Sequence, residues 1–104
     1  MLELFIKGRK YRTDAKAIYE EDTKKVKVLK GSVVSDEVSN FVHRESILKL
    51  RAETVDKNGV VKKDIVFDNV TAAAQYVCGY SVSGPVAWHV EKHKNLLTWI
   101  KESK

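Results

Sequence analysis

Phe67-Asp68-Asn69-Val70-Thr71-Ala72-Ala73-Ala74-Gln75-Tyr76-Val77-Cys78-Gly79, with Gly84 and Trp88 close behind, decides how this chain folds. Ile65, Val66 and Phe67 are β-branched or aromatic and read as a short strand. Asn69 then suits a helix N-cap, because its side chain can accept a hydrogen bond from one of the free amides of the first turn. Ala72, Ala73 and Ala74 form the helix interior, where alanine has the best propensity and almost no bulk. Three in a row let a helix approach a sheet or another backbone closely. Gly79 stops the helix, since glycine adopts the left-handed conformation common at helix ends. Trp88 returns to the same unit as a large apolar anchor.

Alternation governs the residues upstream. Leu2, Leu4 and Ile6 alternate with Glu3, Phe5 and Lys7, and Ala15, Ala17 and Tyr19 alternate with Lys16, Ile18 and Glu20. Both stretches have the two-residue period of a strand with one buried face. Gly8 to Thr13 is a basic connection between them. After a turn at Glu21-Asp22-Thr23, a third strand over 24–30 places Val26 and Val28 inside and Lys25 and Lys27 outside, completing a hairpin. Residues 33–43 read as a loop with a turn of helix. Glu45 to Asp56 reads as a helix with Ile47, Leu48, Leu50 and Val55 on its apolar side, stopped at Asn58-Gly59. Val60-Val61 is a further short strand candidate. Downstream, Ser81 to Pro85 is a loop, Val86 to Val90 a short strand, and Asn95 caps a last helix over 96–101 with Leu97 and Ile100 on one side. The expected fold is α+β, a small and mainly antiparallel sheet packed against two or three short helices.

The 104 residues suit one domain, residues 1–104, and 43% apolar content supplies one core. No run approaches the roughly 18 apolar residues of a membrane span, and the first residues do not form a secretory signal. Cys78 is the single cysteine, so no internal disulfide is possible, and a cytoplasmic setting is expected. Residues 1–30 hold nine Lys/Arg against five Asp/Glu, residues 31–60 four against five, and residues 61–104 six against four. The net charge of +5 is therefore concentrated in the first third, an asymmetry that suits a polyanionic partner as well as a solvated face.

Several of these residues also fall in a known order. Ala15-Lys16-Ala17-Ile18-Tyr19, Val28-Leu29-Lys30-Gly31-Ser32, a helix containing Leu50-Arg51, then Phe67, Ala72-Ala73-Ala74, Gly79, Gly84 and Trp88 span nearly the whole chain. In this order the chain resembles an uncharacterised domain family found C-terminal to GIY-YIG nuclease domains and related to the RAMA (restriction enzyme and adenine methylase associated) module. Asn69-Val70-Thr71 stands where that family commonly has Ser-Pro-Ser, and Pro85 where it tends to have a second tryptophan. The resemblance implies a non-catalytic accessory domain that binds DNA, including modified DNA. Its partner would be a nuclease or methylase domain in the same or a neighbouring chain. No GIY-YIG motif occurs here, so nuclease chemistry is not implied.

The residues themselves supply no catalytic constellation, and no cofactor or metal is expected. His89 and His93 are four apart, but Pro85 and the strand-like Val86 to Val90 argue against one helix face, and a zinc site needs three or four convergent ligands. Cys78 sits on an apolar helix between Val77 and Gly79, where a buried thiol is usual. Trp88 reads as core rather than as a stacking platform. The expected phosphate contacts are Arg9, Lys10, Arg12, Lys25 and Lys27, joined by the helix start at Asn69 and Thr71 and the loop serines Ser81 and Ser83. Folding is expected to bring the cationic hairpin beside that open helix start. The competing reading is a protein-interaction or scaffolding domain, which would show an exposed apolar patch.

Overall fold

The alternating N-terminal stretches become the middle of an antiparallel sheet. The computed structural model describes residues 1–8 and 13–103. Among the described residues the strands are β1 (Leu2–Lys7), β2 (Asp14–Tyr19), β3 (Val26–Val28), β4 (Ile65–Phe67), β5 (His89–Glu91) and β6 (Lys94–Asn95). The helices are α1 (Arg44–Thr54), α2 (Val70–Cys78), α3 (Gly84–Ala87) and α4 (Leu96–Glu102). The sheet order is β4-β3-β2-β1-β5-β6, and every neighbouring pair is antiparallel. The α+β expectation holds, with four helices among the described residues rather than two or three.

One sheet face carries the core. Leu4, Ile6, Ala15, Ala17, Tyr19, Val26 and Val28 are buried against Ala73, Ala74, Tyr76 and Val77 of α2, with Trp88 and Leu96 filling the far side. Ala73, Ala74 and Trp88 are all 0% exposed, so two of the three alanines let α2 lie close to the sheet, while Ala72 is only half-buried. The hairpin register pairs Ala17 with Val28 and Tyr19 with Val26, which keeps the apolar sets on one face. No described helix is long and apolar enough to cross a membrane.

Three local expectations are corrected. Val86 to Val90 is not one strand. Pro85 occupies the first turn of α3, Ala87 and Trp88 donate their amides to Ser83 O and Gly84 O, and only His89 onward is extended. Proline suits that position because it fixes φ and its missing N–H would be unpaired there anyway. In α1 the helix ends at Thr54, ahead of Asp56; Val55 is extended and bridges Val61, while Leu48 stays 38% exposed. In α4, Leu96 is the buried residue, with Trp99 and Ile100 packed on the core at the i+3 and i+4 positions.

Candidate nucleic-acid interface

The expected helix-start site is built, but its polar groups are largely used within the chain. Asn69 Oδ1 accepts the Ala72 amide at 2.7 Å, as a capping residue should. Thr71 Oγ1 accepts the Gly84 amide at 3.1 Å, and the Trp88 indole donates to Val70 O at 2.9 Å. Gly84 packs so tightly here that a Cβ would lie 2.4 Å from Thr71 N. The start of α2 is thus covered on one side by the start of α3. What remains is an open cleft of about 390 Å³, lined by His43, Ser46, Ile47, Leu50, Phe67, Asn69, Thr71, Ala72, Gln75 and Tyr76. Ser81 and Ser83 are exposed in the loop before α3; Ser83 directly precedes Gly84, whose amide meets Thr71, whereas Ser81 lies two residues past the C-terminal cap of α2.

The hairpin cations lie elsewhere. Lys27 alternates with the buried Val26 and Val28, so it leaves β3 on the face away from α2. Lys25, just before β3, lines a small depression on that side with Lys27, Ile18 and Val66. The lysines and the α2 start therefore stand on opposite sides of the sheet and do not form one cradle. Arg9, Lys10 and Arg12 fall outside the described residues.

The outer sheet face has a definite composition. Glu3, Ile18, Lys27 and Val66 form one row across β1, β2, β3 and β4. His89, Phe5 and Lys16 form a second row, which Leu29 extends by donating its amide to Lys16 O. Val66 is 60% exposed, and a second shallow depression of about 380 Å³ lies among Phe5, Lys16, Ile18 and Leu29. Among the described residues only Lys94 and Glu102 form an ion pair, so the ammonium groups of Lys16, Lys25 and Lys27 have no carboxylate partner there. Lys16 and Phe5 were not among the expected contacts. Their signal lay in the same alternation that identified the strands, since residues one step from a buried alanine or leucine face outward.

Behind α2 a third polar group matters for architecture. Arg51 donates to Tyr76 O at 2.6 Å and 3.0 Å, to Ser35 O at 2.9 Å and to Ser35 Oγ at 3.0 Å. It thus satisfies carbonyls near the C-terminal end of α2, where a cation also suits the helix dipole. Burial pulls this guanidinium below its usual range, with Tyr76 and Cys78 pulling it back up. The Tyr76 hydroxyl lies 2.7 Å from Thr54 Oγ1, and burial raises its pKa against the lowering effect of that hydrogen bond. Burial also pushes the Cys78 thiol up to about 11, which Arg51 only partly offsets. That is the opposite of the lowered value that activates a cysteine nucleophile. No group of three or more His, Cys, Asp or Glu residues is placed to hold a metal ion among the described residues.

No curated protein and no solved structure matches the chain. A family model described as Domain of unknown function (DUF4357) matches residues 4–100, from the third residue of β1 into α4, and the chain belongs to that family.

Proposed function

We propose that the chain is a non-catalytic DNA-binding accessory module that contacts its partner through the outer face of the sheet. The observation that carries this is the set Lys16, Lys25 and Lys27, exposed on a face no described helix covers and lacking carboxylate partners among the described residues. Three cations displacing counterions from phosphates predict a log–log salt slope of about −2.7 on duplex DNA. The overall charge of +5 favours the encounter. Burial raises the pKa of the Cys78 thiol, which disfavours the thiolate that a cysteine nucleophile needs. The resemblance to domains that follow GIY-YIG nuclease domains and to RAMA modules supports a cytoplasmic setting beside a nuclease or methylase, and a preference for modified DNA. The test is fluorescence anisotropy of labelled short duplexes and single strands, with and without base modification, across several salt concentrations. Affinity at low salt that falls steeply with added salt is expected. No affinity at low salt, or affinity indifferent to salt, removes the proposal.

A protein-docking role is the second reading, favoured by Val66, Ile18 and Phe5 on the same open face. It predicts self-association or a protein partner that protects Val66 from solvent.

A further inference from the structure

The outer face carries rings as well as charge. Phe5 and His89 stand opposite each other on β1 and β5, with ring centroids 5.8 Å apart and planes tilted by 33°. Both are only part-buried. His89 is held in place because its Nδ1 lies 3.0 Å from Ala87 O, an acceptor, so that nitrogen carries the proton and donates. Lys16 is the next residue along the row from Phe5, and Ile18 and Leu29 border it.

We infer that this face binds single-stranded DNA, with an unpaired base packed on the Phe5–His89 pair and the flanking phosphates held by Lys16 and Lys27. The inference rests on the DNA-binding reading above and adds the strandedness. A duplex hides the faces of its bases, so rings and aliphatic side chains at the centre of a sheet would meet nothing they recognise. Geometry agrees. The major groove is about 12 Å wide and admits a helix or a two-stranded ribbon. Six strands at about 4.8 Å spacing make a surface roughly 24 Å across, too broad to enter. A single strand can lie across such a surface, offering its bases to aromatic side chains and its phosphates to cations. Charge selects DNA over an apolar protein partner, because exposed lysines interrupt the apolar rows. Glu3 shares a row with Lys27 from two strands away, and its repulsion directs phosphates toward β2 and β3.

The test compares three labelled probes of equal length on the full chain at one low salt concentration: a single strand, its duplex, and an abasic strand. The single strand is expected to bind at least tenfold more tightly than either of the others. Phe5→Leu, which keeps apolar bulk but removes the ring, should weaken single-strand binding several-fold; an unchanged single-strand affinity overturns the role of the ring pair. A duplex bound as tightly as the single strand, or an abasic strand equal to the intact one, overturns the strandedness while leaving DNA binding in place. Failure of all three probes removes both proposals. A dimer in sedimentation equilibrium that dissociates on Phe5→Leu, with no DNA bound, assigns the face to a second copy of the chain and also overturns the inference.

Discussion

A methyl group at position 84 would lie 2.4 Å from the amide nitrogen of Thr71 and 2.4 Å from the carbonyl carbon of Val70, and neither backbone atom can move aside cheaply. Gly84→Ala should therefore cost about 2–3 kcal/mol, read as a lower urea midpoint; an unchanged midpoint would mean that α3 shifts freely. Gly84 was visible in the sequence as part of a recurring order, but its reason, the contact between α3 and α2, was not. Arg51 was less legible still. In the sequence it stands only as one step of the Leu50-Arg51 helix, whereas it bonds Ser35 and Tyr76 O at the far end of α2. Lysine has no planar fork to reach several carbonyls at once, so Arg51→Lys should lose roughly 2 kcal/mol despite keeping the charge. Cys78 gives a pH signature. Its folded pKa is raised to about 11 from 9.0, so the unfolded chain loses the thiol proton first as pH rises. Its contribution is complete below pH 9 and is lost between about pH 9 and 11, with Tyr76, also raised, adding to the alkaline loss. Cys78→Ala should flatten this part of a stability-versus-pH curve. A curve as steep as that of the unaltered protein would deny the thiol its part.

Elements whose signals are local were readable. The hairpin of β2 and β3 follows from alternation around a turn, and α2 from its cap, its alanines and Gly79, which adopts φ 78°. Asn69→Ala should remove the bond to the Ala72 amide and about 1 kcal/mol of stability, seen by thermal unfolding. Loss of a few tenths or less would show that the α3 contacts, rather than the cap, hold this helix end. The region from Val86 to Val90 misled because valine and tryptophan also suit a strand. Pro85 at the first turn of α3 was the stronger signal. Two-residue β6 has too few positions to show a period, and the pairing of β5 with β1 is set by tertiary packing rather than by any local motif.

At the scale of the molecule, the expectation of one cationic cradle met the two-sidedness of the sheet. Strand parity sends Lys27 to one side while the helices pack on the other. The candidate surface becomes a row-patterned plane, and its cations act as a set. Double charge reversal, Lys16→Glu with Lys27→Glu, should lower DNA affinity at least tenfold at low salt and flatten the salt slope by about 2 units, while leaving the urea midpoint nearly unchanged because both side chains are exposed. An unaltered slope would place the contact on another face.

The position of β1 between β2 and β5 also has a cost during synthesis. β1 gains its second neighbour only when residues 89–91 emerge, about eighty residues after it. At about 5–20 residues per second the nascent chain carries a bare strand edge for about 4–16 s. During that interval the half-finished sheet is a template for mispairing, and chaperones at the ribosome exit would find it open.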